Sequence, residues 1–156
     1  MYPAFPSWPI AKIKLQVPSS PISLQNSLWK TTERTNLWDT LGSYLFDQHL
    51  NIFRESAITI LTERDPSFEL PTDERFAANI HGKALTYSQD LRTGLANGLA
   101  ILGSRPHTLT NCSHGKAEDT AISVICEVFA DADWILWGSL NNCLPALAEA
   151  ALDEFL

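Results

Sequence analysis

The stretch SQDLRTGLANGLAILG, Ser88 to Gly103, decides the fold class. Leu91, Leu95, Leu99 and Leu102 recur at spacings of four and three, the period of a helix with one apolar side. Ser88 suits the N-cap, because its hydroxyl can accept an otherwise unpaired N–H of the first turn. Gly103 suits a closing left-handed turn. Gly94 and Gly98 lie one turn apart inside the helix and cost about 2 kcal/mol relative to alanine. That cost predicts tight helix packing, with a neighbouring backbone in close approach, rather than a ligand-binding role. In a membrane the same spacing would suggest helix dimerisation, but no apolar run reaches about eighteen residues.

Upstream, Trp38, Leu41 and Leu45 keep a helical spacing. Leu50, Phe53, Ala57 and Ile60 keep it again behind Asp47, read as an N-cap, until Asp65 before Pro66. Pro66 to Pro71 is a loop. Thr72, with Asp73 and Glu74 behind it, predicts a further helix running to a left-handed Gly82. Downstream, residues 104–115 are a loop, and Ile122, Ile125 and Phe129 mark the next helix. Asp133 caps a short one through Trp134 and Trp137. Asn141 or Asn142 caps the last, with Pro145 in its first turn and Leu144, Leu147, Ala151 and Phe155 on its buried face.

The expected fold is therefore all-α: six or seven short antiparallel helices, as a HEAT-like solenoid segment or an irregular bundle. Residues 27–156 form this helical domain. Residues 1–26 form an extended arm carrying five of the nine prolines. Within the arm, at 10–17, Ala11, Ile13, Leu15 and Val17 alternate with Lys12, Lys14 and Gln16, the period of a strand. An arm with one strand either lies on the helices or exchanges with a second chain to make a homodimer. A Leu-Gly or Trp-Gly step recurs at 41–42, 102–103 and 137–138, at unequal intervals.

The 156 residues are 45% hydrophobic and 19% charged, with net charge -7. That is a globular composition, and its acidity argues against nucleic acid and against an anionic membrane surface. The N-terminus lacks the basic start and apolar core of a signal peptide, so the expected location is cytoplasmic. Three cysteines and no export signal argue against a disulfide scaffold.

The chemistry-bearing residues are sparse. Cys112 and His114 in NCSHGK are candidates for half a metal site or for a thiol beside an imidazole. His81, His107, Cys126 and Cys143 offer no matching ligand spacing, and the two cysteines read as small apolar residues within helices. No phosphate-binding, nucleophile-elbow or H-E-x-x-H motif occurs, and HGK at 81–83 and 114–116 is too short to be one. Trp134 and Trp137 share a helix face and, with Trp38, are expected to anchor helix to helix, a partner hot spot being the alternative. No catalytic, cofactor-binding or metal residue is assigned.

Two segments, LRTGLANGLAILG at 91–103 and ADWILWGSLNNCLPALAEAALDEFL at 132–156, resemble a helical-repeat segment of very large bacterial proteins of uncharacterised function. ERDPSFELPTDERFAANIHGK at 63–83 is similar to the linking segment there, so the resemblance covers roughly residues 36 to 156. Leu152 stands where that pattern has proline, and Asn97-Gly98 replaces bulkier helix formers. Some such proteins accompany a P-loop nucleotide-binding part, to which no residue here corresponds. The resemblance implies a non-enzymatic scaffold or interaction module, a fragment of a larger multidomain protein. It would bind a protein partner or the other domains of its parent chain, with no cofactor. The final helix, which carries no stop signal, would then leave Phe155 and Leu156 at an open face of the stack. The competing expectation is a small metal- or thiol-dependent hydrolase using Cys112 and His114.

Overall fold

The computed structural model describes residues 22–25 and 28–155. Strand β1 (Ile22–Gln25) pairs antiparallel with β2 (Leu28–Thr31), Ile22 opposite Thr31 and Gln25 opposite Leu28. Seven α-helices follow: α1 (Arg34–Leu41), α2 (Asp47–Leu61), α3 (Gln89–Ser104), α4 (Lys116–Phe129), α5 (Trp134–Ser139), α6 (Leu144–Ala150) and α7 (Leu152–Phe155). The fold is all-α, with this one hairpin. The chain divides into two compact units, residues 1–42 and 43–156. The strand expected at 10–17 lies outside the described residues. The hairpin, which the helical reading passed over, crosses the boundary drawn at residue 26.

In the second unit the most extensive seam joins α3 to α6, and the next joins α2 to α4. The core unites Ala57, Leu61, Ala96, Leu99, Val124, Ile125, Val128, Leu136, Leu140, Cys143 and Leu147. Ser88 caps α3 as expected, accepting from the Leu91 N–H at 3.2 Å. The buried side of α3 takes in the leucine stripe from Leu95 onward but not its start. Leu91 is exposed and Leu95 only half-buried, while Arg92, Ala96, Leu99, Ala100 and Leu102 are buried. Where α6 comes closest there is no room for a side chain at all. A Cβ on Gly103 would stand 2.1 Å from the carbonyl oxygen of Ala150. Gly103 therefore lies inside α3, which continues to Ser104, rather than closing it. A Cβ on Gly98 would stand 3.2 Å from the Phe53 ring of α2, so Gly98 serves tight packing against a side chain rather than a backbone, while a Cβ on Gly94 would meet nothing within 4 Å.

Three further expectations change. Asp47 is the first helical residue, not the cap. The cap position is Phe46, whose N–H donates to His49 Nδ1 at 3.0 Å. Cys143, not an asparagine, holds the cap position of α6. The final helix breaks at Ala151, with φ -153° and ψ 72°, although no proline stands at 152. Asp133 does cap α5, accepting from the Leu136 N–H at 2.9 Å.

No helix forms over 72–82. Only a 3-10 turn, Arg75–Ala77, and further turns occur there. A helix at the surface needs an apolar side to bury, and here only Ala78 is buried while Phe76 and Ile80 face solvent. Gly82 keeps its left-handed φ of 68°, and the Lys83 N–H returns to the Ala78 carbonyl at 2.9 Å.

Candidate functional site

The residues singled out for chemistry meet in part. The loop between α3 and α4 and the first turn of α4 enclose a depression of about 450 Å³, lined by His107, Thr110, Cys112, Ser113, His114 and Glu118. Its floor is tied to the start of α2. The Ser113 N–H and hydroxyl both donate to the Asp47 carboxylate, at 2.8 and 2.5 Å, and the Asn111 amide donates to the Ser43 carbonyl at 2.5 Å. The Ser113 hydroxyl, then its N–H, holds the Asp47 carboxyl below the usual carboxylate range.

Cys112 is half-buried, with its thiol 3.6 Å from the Leu45 carbonyl, to which it donates. Burial pushes its pKa up, the neighbouring Asp47 charge adds to this, and Lys116 only partly opposes it. These surroundings disfavour the thiolate, the form that acts as a nucleophile or metal ligand. His107 shares the depression with Cys112 and His114, a neighbour that spacing alone did not reveal, because the turn at Pro106–Thr108 folds it back. Among the described residues no three His, Cys, Asp or Glu side chains form a group able to hold a metal ion.

The other candidates scatter. His81 is exposed in the 72–83 turns, and Cys126 is exposed on α4, against its reading as an apolar interior residue. Cys143 is in the core, as expected. Trp134 and Trp137 are 62% and 40% exposed, so the expected burial between helices does not hold. Each is braced by a second ring instead: Phe68 stands edge-on to Trp134 at 5.7 Å, and Phe129 lies 4.7 Å from Trp137. Gly138 makes room for this arrangement, since a Cβ there would come within 2.6 Å of the Phe68 ring.

One polar arrangement gave no signal in the sequence. Arg92 is fully buried in α3 and donates from Nη2 to the Glu63 carbonyl at 3.1 Å, while its Nε and Nη1 have no hydrogen-bond partner among the described residues. The Glu63 carboxylate accepts the N–H groups of Thr86 at 2.6 Å and Tyr87 at 3.3 Å. Burial pushes the Glu63 carboxyl up. The two amides and the Arg92 charge outweigh it, and the group ends below its ordinary value. Glu63 thus fastens the end of the 62–88 connection. A polar residue at position 92 falls on the helical period, but its neighbour across the connection is set by tertiary folding.

Among the described residues no helix is long and apolar enough to cross a membrane. In comparisons with known proteins, the chain matches no family model, no curated protein and no solved structure.

Proposed function

We propose that the chain is a non-enzymatic helical scaffold or interaction module, a part of a larger cytoplasmic bacterial protein built of stacked helices. The observation that supports it best is the pair Trp134 and Trp137. Two indole rings stand in solvent on one short helix, each held by a second aromatic ring. Rigid, exposed tryptophan is the side chain most enriched among residues that carry binding energy, because little rotamer freedom is lost on contact. Its partner would be another protein or a neighbouring domain of the parent chain. The resemblance to helical-repeat segments points the same way. The competing reading is a small metal- or thiol-dependent hydrolase using Cys112 and His114.

An immunoblot of the source cell tests the first part: a band far above 17.3 kDa is expected. A photo-crosslinking residue at position 134 or 137 tests the second, and should give a discrete protein adduct in the cell. The absence of adducts from both positions would overturn the interaction reading. A Cys112→Ala change that abolishes a measured hydrolytic turnover would replace it with the enzyme reading.

A further inference from the structure

Arg92 has no exposed surface, and its Nε and Nη1 have no hydrogen-bond partner among the described residues. A buried guanidinium placed in this way favours any arrangement that brings it an acceptor. The carboxylate at hand is that of Glu63. The Glu63 carbonyl already accepts from Arg92 Nη2, and the Arg92 charge acts on the Glu63 carboxyl. The other charges of this region are engaged or exposed. Asp65 accepts the Ser67 N–H, Arg64 pairs with Asp133, Lys83 pairs with Glu69, and the Arg75 guanidinium lies over the Phe68 ring. Asp73, Glu74 and Asp90 face solvent.

In the structure the Glu63 carboxylate is occupied by the Thr86 and Tyr87 N–H groups, and these bonds hold a short flap. On one side of it the Lys83 N–H is tied to the Ala78 carbonyl, and on the other Ser88 caps α3. Between those fixed points, residues 84–87 make no hydrogen bond among the described residues except to Glu63. Thr86 is exposed, so its amide can turn to water with little loss. Ala84, Leu85 and Tyr87 of the flap, together with Phe76, Asn79 and Ser88, line a depression of about 480 Å³. A carboxylate can take two guanidinium N–H groups side by side, as it takes two amides here. Either arrangement gives Glu63 two charge-assisted hydrogen bonds, and only the second meets a buried Arg92 donor. The two therefore lie close in free energy.

We propose that residues 84–87 are a flap with two states: closed, with the Glu63 carboxylate on the Thr86 and Tyr87 amides, and open, with the same carboxylate turned onto Arg92. Arg92 is then the release of the flap rather than a further anchor, and the depression opens on that side when it acts. This goes beyond the reading of the chain as an interaction module and stands whether or not that reading does. Backbone amide exchange, followed residue by residue by NMR in the full chain, tests it, because the rate at a bonded amide reports how often its bond is open. Removing the competitor should close the flap: Arg92→Met should slow exchange at Thr86 and Tyr87 about fivefold, measured against the Leu99 amide in the core of α3. Removing the carboxylate should open it: Glu63→Gln should speed exchange at both amides about tenfold. In the Glu63→Gln background, Arg92→Met should move these rates by less than about twofold, since the competition runs through the carboxylate. Arg92→Lys, whose ammonium offers no fork, should also slow exchange, and takes the place of Arg92→Met should that variant fail to fold. An Arg92 that only anchors the connection gives the opposite sign, faster exchange at Thr86 and Tyr87 when it is removed. That result overturns the proposal, and so does an unchanged rate. A slowing that persists in the Glu63→Gln background overturns it as well, since it then comes from the lost positive charge alone.

Discussion

The seam between α3 and α6 and the connection from 62 to 88 are held by opposite means. The seam works by subtraction: Ala96, Ala100, Gly103 and Ala150 remove side-chain bulk, so two helices approach until backbone meets backbone. The connection works by attachment. Glu63 takes the Thr86 and Tyr87 amides, Asp65 takes the Ser67 N–H at 2.8 Å, the Ser139 hydroxyl takes the Asp65 N–H at 2.8 Å, and Arg92 reaches the Glu63 carbonyl. Shape holds the first and polar pairing the second. Close packing transmits any added volume as strain. A polar tether gives way one bond at a time and leaves apolar side chains such as Phe76 outside.

The contrast breaks most sharply at Gly103. A methyl there would sit 2.1 Å from a backbone oxygen, so a helix has to move. Gly103→Ala should destabilise the fold by about 3 kcal/mol, at the upper end of overpacking costs. Urea unfolding followed by far-UV circular dichroism measures it. The twin change, Gly94→Ala, sits on the same helix with nothing within 4 Å. It should stabilise by about 0.8 kcal/mol, because alanine loses less backbone entropy. Equal effects at the two glycines would show that the seam is looser than described.

These glycines also mark what was legible in the sequence. Period and capping identified α3, α4 and α5 and even the Ser88 and Asp133 caps, because those signals are local. They gave Gly94 and Gly103 the wrong roles, because a glycine's use depends on the neighbour, which only the folded chain supplies. The 72–82 region shows the same limit. Its capping residues are sound, but a helix there would have had no apolar side to bury. Its end was legible at Gly82, whose left-handed turn is local. For the candidate site, NCSHGK flagged the loop that lines the depression, yet His107 could not be read, since the turn at Pro106–Thr108 places it, nor the surroundings of Cys112, since Asp47 and Leu45 come from α2 and the stretch before it. Arg92 drew no reading at all, since its burial depends on the connection folding over it.

The tether should respond to pH where the seam does not. The Glu63 carboxyl titrates below its ordinary value of 4.5 in the folded chain. A depressed carboxyl contributes stability that is fully present above the unfolded value and is lost as pH falls through the folded one. Glu63→Gln should therefore be less stable than the parent at pH 7, and the gap should close on acidification below about 4.5. Thermal melts at a series of pH values read this directly. A gap that stays constant down to acid pH would mean that the carboxylate charge plays no part in holding the Thr86 and Tyr87 amides.

The smallest effect is expected at the most buried charge. Arg92 donates one hydrogen bond, and its other two buried nitrogens stand without partners in the structure. Burying a guanidinium is costly, and the cost is recovered only when its donors are met. Arg92→Met keeps much of the volume and removes both the charge and the unmet donors. The Glu63 carbonyl loses one donor, a modest loss for a main-chain oxygen at the edge of the connection. The two changes should nearly cancel and leave stability within about 0.5 kcal/mol of the parent. Arg92→Ala, by contrast, removes most of a fully buried side chain and should cost at least about 2 kcal/mol. A large loss in Arg92→Met would show instead that the guanidinium charge itself, through its attraction for Glu63, binds the connection to α3. The tether would then depend on its one buried charge as firmly as the seam depends on Gly103.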